Sequence, residues 1–214
     1  MLDVHPPHES IHGWRDFLLH LLTITIGLVI ALSLEGCVEW RHHRHLVHEA
    51  EKSLQTEIRT NANGLKDVAA DIQQQQNTLQ HDLNVLEKDI QHQAISKEHM
   101  SIAFHLSAFD DVSWQTAQST GAVSYMPYSV AEEYSGIYAL QHEFDLAQHR
   151  AVRDAILAVA PFAGGELASR NPTPEQAVVI KKHIQVLVGQ LMLVHSLVDS
   201  LKQQYKAFLT AHPQ

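Results

Sequence analysis

Seventeen histidines in a chain of 214 residues are the first feature with chemistry to offer. His5, His8 and His12 precede a long apolar run, and His42, His43, His45 and His48 follow it. His42, His45 and Glu49 are spaced by three and four, so on a helix they share one face. Two imidazoles and a carboxylate at that spacing form a donor set for a divalent metal, and histidine-rich flanks also suit haem. The plainer account makes them an amphipathic collar at headgroup level, with rings that sit comfortably between lipid and water. That account carries more weight: if the run crosses a bilayer, the two histidine groups lie on opposite sides. Haem-attachment cysteines are absent. The single cysteine, Cys37, excludes an intrachain disulfide and a cysteine-rich metal site. Protonating every histidine would reverse the sign of the formal net charge of −9, so the electrostatics should respond to pH between about 5 and 7.

A second constellation runs Asp110-Asp111-Val112-Ser113-Trp114-Gln115-Thr116-Ala117 and on through Thr120-Gly121-Ala122. It puts an indole, hydroxyls and carboxylates at a helix start. Trp114 with Tyr125, Tyr134 and Tyr138 could line a ligand pocket; an aromatic cap over a helical core explains the same residues. His20 is the ionisable side chain within the apolar run, a functional candidate by default, but it lies one turn from the interface. No GxSxG, P-loop, HExxH or dinucleotide fingerprint occurs. Ser113 with some His and Asp is no triad, since those residues occur throughout. The chain is therefore read as a non-enzyme with no cofactor. A net charge of −9 offers no basic track for phosphates, so no nucleic-acid partner is expected.

These residues need elements to hold them. Phe17 to Leu34 reads FLLHLLTITIGLVIALSL, and its 18 residues span about 27 Å as a helix, enough for a bilayer core. Trp14 and Trp40 bracket the run as interfacial aromatics do. Leu34-Glu35-Gly36-Cys37 has a trace of a lipoprotein cleavage box. Glu35 fits such a box poorly, however, and the stretch ahead carries Pro6, Pro7, Asp3 and Glu9 instead of a basic tract. The run is expected to remain as an anchor. A buried helix of a soluble domain is the alternative, but no equally apolar stretch recurs for it to pack against. Thr23, Gly27 and Ala31 line one face by fours, a small-residue stripe through which two such helices can approach. Arg41, Arg44 and Lys52 after the run, against Arg15 before it, would hold the large domain in the cytoplasm. The signal-anchor look and the histidine load point the other way, and the reading adopted is periplasmic.

Beyond the run, seam positions step by four and three and all but Gln76 are apolar: Ile58, Ala62, Leu65, Ala69, Ile72, Gln76, Leu79, Leu83, Leu86 and Ile90. That is a heptad seam, and it demands a partner helix. A second seam runs through Ala177, Ile180, Ile184, Leu187, Leu191, Val194, Val198, Leu201, Tyr205 and Phe208. The two can face each other within one chain or pair between chains. The joints predict shorter helices between them. Ser96 starts one to about Leu106. Asp110 or Asp111 caps another, Val112 to about Thr120, with Gly121 as its left-handed stop. Ser129 and Glu132 form a capping box for a helix to about Ala160. Pro161 to Pro172 reads as a loop, and Thr173-Pro174-Glu175 opens the last helix.

The fold class expected is all-α, a single transmembrane helix continuing into a coiled-coil-like bundle. Its parts are a juxtamembrane segment (1–16), the membrane helix (17–34), a long heptad helix (35–95) and a bundle ending in the second seam (96–214). His5-Pro6-Pro7-His8, then His12-Gly13-Trp14-Arg15-Asp16-Phe17, the apolar run and His42-His43-Arg44-His45 resemble a group of uncharacterised bacterial single-span membrane proteins. Trp114, Ala117 and Gly121 fit the same impression. The resemblance covers chiefly the first 60 or so residues. It implies a bacterial inner-membrane protein and brings no activity. The function expected is a membrane-anchored interaction or scaffold protein, contacting lipid and either self-associating or serving a larger membrane complex. A ligand-sensing bundle, or a metal- or haem-binding protein using the histidines, is the alternative.

Overall fold

The computed structural model describes residues 13–92, 104–160 and 172–213. The described residues form four α-helices, α1 (Trp14–His92), α2 (Val112–Ser119), α3 (Tyr128–Val159) and α4 (Pro174–Ala211), with a 3-10 turn at Ala122–Tyr125 and no strand. The protein is all-α, as the periodicity predicts. It divides into two compact units, Met1–Glu49 and Ala50–Gln214, and α1 contributes to both.

In the first unit α1 runs without a break because no proline interrupts it. The hydroxyls of Thr23, Thr25 and Ser33 donate back to the carbonyls of Leu19, Leu21 and Val29 at 2.9, 2.8 and 2.7 Å. A hydroxyl bonded this way asks nothing of its surroundings. The large apolar side chains from Phe17 to Leu34 are open on every side of the helix. Two helices among the described residues, α1 and α4, are long and apolar enough to cross a membrane. The uninterrupted apolar run in the sequence marks only the first.

In the second unit the later part of α1 packs with α3 and α4. Leu54, Ile58, Leu65, Ile72, Leu79 and Leu86 of α1 are buried, and so is the whole α4 seam from Ala177 to Phe208. Leu79 and Leu86 share one cluster with Ile180, Ile184, Leu187 and Leu191 of α4 and with Ala151, Ala155 and Ala158 of α3. The alanines let α3 and α4, the most closely packed pair, approach. The end of the first heptad seam, Leu79 to Ile90, thus meets the start of the second within one chain. Each buried Leu or Ile contributes about 1.5–3 kcal/mol, so this shared core is the principal source of the unit's stability. Lys181 of α4 and Glu87 of α1 add an ion pair at its edge, which holds the Glu87 carboxyl below its ordinary range.

The joints hold in part. Gly121 follows α2 at φ 78°, the left-handed conformation that favours glycine. Thr173 caps α4: its hydroxyl accepts from the Gln176 N–H at 3.3 Å, and the Gln176 side chain accepts from the Thr173 N–H at 2.9 Å. Two other joints differ from expectation. The Ser129–Glu132 capping box does not form, because α3 begins at Tyr128 with Pro127 at the N-cap position, two residues ahead of the start a Ser129 cap would set, and Ser129 lies inside the first turn. Of the helix expected from Ser96 to Leu106, residues 96–103 lie outside the described ones, and Phe104 to Leu106 belong to an irregular segment that reaches Asp111.

A clamped segment and an acidic aromatic cleft

Beside the apolar seam, α1 and α3 bury polar side chains: Glu57, Asn61, Gln75 and Asp82 on α1, and Gln141, Gln148 and Asp154 on α3. Three of the amides hold the irregular segment Phe104–Asp111 by its backbone. Gln75 accepts from the His105 N–H at 3.3 Å and donates to the His105 carbonyl at 3.4 Å. Gln148 accepts from the Ser107 N–H at 2.9 Å and donates to its carbonyl at 2.6 Å. Asn61 accepts from the Asp110 N–H at 3.0 Å and donates to its carbonyl at 2.7 Å. A carboxamide has one acceptor and one donor end, the complement of a single residue's N–H and C=O. A segment without helical or sheet partners therefore has these backbone groups satisfied by side chains. It is pinned from α1 at both ends and from α3 in between.

The clamp delivers the start of α2. Asp111 stands at the N-cap position, but its side chain does not cap; it accepts from Gln115 Nε2 at 2.8 Å. The Ser113 N–H, one of the donors a helix start leaves without an internal partner, donates instead to Glu57 Oε2 at 2.7 Å. The other oxygen of the same buried carboxylate accepts from the Tyr138 hydroxyl at 2.7 Å. One carboxylate of α1 thus ties α2 to α3. Burial pushes the Tyr138 phenol far above its ordinary range, and the bond to Glu57 adds to the effect. Trp114 of α2 lies flat on Tyr138, the ring centroids 5.2 Å apart and the planes 5° from parallel. Next to them Gln141 Nε2 donates to the Tyr205 hydroxyl oxygen at 2.6 Å.

A cleft of about 320 Å³ opens against this stack. Trp114 and Asp111 form one side, and Tyr138, Gln141, His142 and Asp145 form the other. Burial raises the Asp145 pKa, the charge on Asp111 raises it further, and His149 and His142 oppose them. Gln141 is 3 % exposed, and its Oε1 has no hydrogen-bond partner among the described residues. The cleft combines an aromatic wall and two carboxylates.

Of the aromatics named from sequence, the structure brings Trp114 and Tyr138 together. Tyr134 lies in the core against Phe208, with ring centroids 5.3 Å apart, and its phenol is pushed up to about 12 by burial. Tyr125, in the 3-10 turn, is exposed and does not line the cleft. His42, His45 and Glu49 do not gather: no group of three metal-ligating side chains occurs among the described residues. Along one helix His42 and Glu49 stand about 10 Å apart in rise, too far to share an ion without a second element. His5, His8 and His12 lie outside the described residues. Thr23, Gly27 and Ala31 keep their common face on α1, and a Cβ added at Gly27 would meet nothing within 4 Å.

Sequence reasoning missed Glu57, Asn61, Gln75, Gln141 and Gln148. A signal existed for three of the buried polar residues: Asn61, Gln75 and Asp82 repeat at multiples of seven beside the seam. Neither a family model nor a curated protein nor a solved structure matches this chain.

Proposed function

We propose that the protein is a membrane-anchored helical binding module. The stretch Phe17–Leu34 of α1 would hold it in a bacterial inner membrane, and the bundle, on the periplasmic side, would offer the Trp114–Tyr138 cleft to a small ligand. One observation carries this reading: an aromatic pair braced by a buried carboxylate lines an open cleft that two further carboxylates, Asp111 and Asp145, also line. A concave site with a few convergent polar groups is where a ligand is expected. Glu57 extends the logic. It holds both walls of the cleft and belongs to α1, the helix that also carries the apolar stretch. The test is a ligand screen by thermal shift on the full chain in detergent. A compound that raises the melting temperature of the wild type and leaves Trp114→Ala unmoved supports the reading. Stabilisation that persists in Trp114→Ala would contradict it.

A second reading, an interaction or scaffold protein, draws on a different face. The heptad seams are used up inside the chain, but Val179, Val186 and Leu193 of α4 repeat by sevens and stay about half exposed. With the Thr23, Gly27 and Ala31 stripe they give two surfaces for assembly. Native mass spectrometry from mild detergent separates the readings. A small integer multiple of 24.0 kDa or added foreign chains favours assembly, and a single chain removes it.

A further inference from the structure

The cleft can be read for the chemistry of its occupant. This step rests on the cleft being a binding site. Asp111 and Asp145 bring carboxylates to a lining that also holds the amides of Gln115, Gln118 and Gln141, the Ser135 hydroxyl and the His142 imidazole, and no Lys or Arg lines the cleft. Gln115 supplies one N–H to Asp111, which leaves most of the acceptor capacity of the two acids unused.

Two carboxylates that face one cleft repel each other, and a partly buried one holds its proton more tightly to escape. That is the state of Asp145. A cation between them removes the repulsion. A bare metal ion suits the site poorly: calcium wants six to eight oxygens and magnesium a near-ideal octahedron, and the described residues gather no such set. The Trp114–Tyr138 wall instead offers apolar area to an organic body. A volume of about 320 Å³ fits a small molecule, not a chain.

We propose that the cleft binds a small organic ammonium ion, a primary or secondary amine on a flat apolar body. Its N–H donors meet Asp111 and Asp145, and its body lies against Trp114 and Tyr138. An alkylammonium carries three donors, enough to reach both carboxylates.

The experiment is isothermal titration calorimetry on the full chain in detergent, with three probes of similar shape: 2-phenylethylammonium, 2-phenylethanol and 3-phenylpropionate. The ammonium ion should bind, and the alcohol and the acid should not. Asp145→Asn, checked for unchanged helicity, should weaken binding by about tenfold or more, the scale of one charge-assisted hydrogen bond. Trp114→Ala should abolish it. Lowering the pH should weaken binding too, since Asp145, held among Asp111, His142 and His149, takes up a proton and loses the charge that attracts a cation. If the acid or the alcohol binds as tightly as the ammonium, and Trp114→Ala abolishes that binding, the cleft survives as a site and the cation is wrong. If no probe binds, or if ammonium binding is unchanged in Asp145→Asn, the proposal is overturned, and the thermal-shift screen still decides whether the cleft is a site at all.

Discussion

The first stretch of α1 and the whole of α4 are the two most apolar helical regions among the described residues, and both are long enough to cross a bilayer. They differ in how the apolar residues are distributed around the helix. In α1 from Phe17 to Leu34 they occupy every face, and none of the most apolar window is buried within the protein. In α4 one seam, Ala177 to Phe208, is buried in the bundle, while Val178, Val179, Val186, Met192 and Leu193 stay exposed on the other faces, and a third of the most apolar window is buried. A helix that is hydrophobic all round needs an apolar solvent; a helix with one apolar stripe needs a partner helix. Total hydropathy measures how much there is to hide. The angular pattern says what will hide it.

The sharpest way to break this comparison is a charge in each region. Leu187→Asp in α4 puts an unpaired carboxylate in the shared core and should remove cooperative unfolding, a loss of more than about 4 kcal/mol. Leu28→Asp in α1 should leave the bundle's melting temperature unchanged and reduce the share of protein found in membranes. Equal damage to the fold by both would mean that the α1 stretch also packs. A finer contrast lies within α4. Leu191→Ala opens a core cavity and should cost about 2–5 kcal/mol in urea unfolding, while Leu193→Ala, on the outer face, should stay within about 0.5 kcal/mol. Tyr138→Phe leaves one oxygen of the buried Glu57 without its donor and should cost about 1–3 kcal/mol. Thr173→Ala removes the α4 cap, worth about 1 kcal/mol.

The smallest effect is a dependence on pH. The folded protein holds the Asp145 proton more tightly than the unfolded chain does, since burial and Asp111 raise its pKa. Its contribution to stability is therefore fully present below the ordinary Asp range and is lost as pH rises through its raised value. Asp145→Asn should melt slightly higher than the wild type at neutral pH and match it in acid. A lower melting temperature at neutral pH would show that Asp145 has a stabilising partner in the fold.

What was legible in the sequence was local. Spacing by three and four marked both seams, the apolar run marked the first stretch of α1, and Gly121 and Thr173-Pro174 marked joints, because each depends on its own backbone and its near neighbours. Pairing was not legible. Nothing in Ile58 or Ile184 says whether its partner lies in the same chain. The clamp was hidden for a deeper reason: Asn61, Gln148 and Gln75 bind backbone groups 49, 41 and 30 residues away, and backbone carries no sequence signature. Glu57 reads as a solvated helix residue until Ser113 and Tyr138 are brought to it. Ser129 misled because Pro127, whose fixed φ already suits a helix start, stands at the N-cap position and moves the helix start two residues earlier than a capping serine would set it.

The central claim is that the apolar stretch of α1 lies in lipid while α4 belongs to the bundle. It is tested most directly by labelling with a membrane-impermeant maleimide. Cys37 is replaced by Ser and a single cysteine is placed at Val29 or at Met192, the latter exposed on α4. In opened native membranes Met192→Cys should react fully and Val29→Cys should react only after detergent solubilisation. Reaction at Val29 with protection at Met192 would reverse the assignment of the two helices.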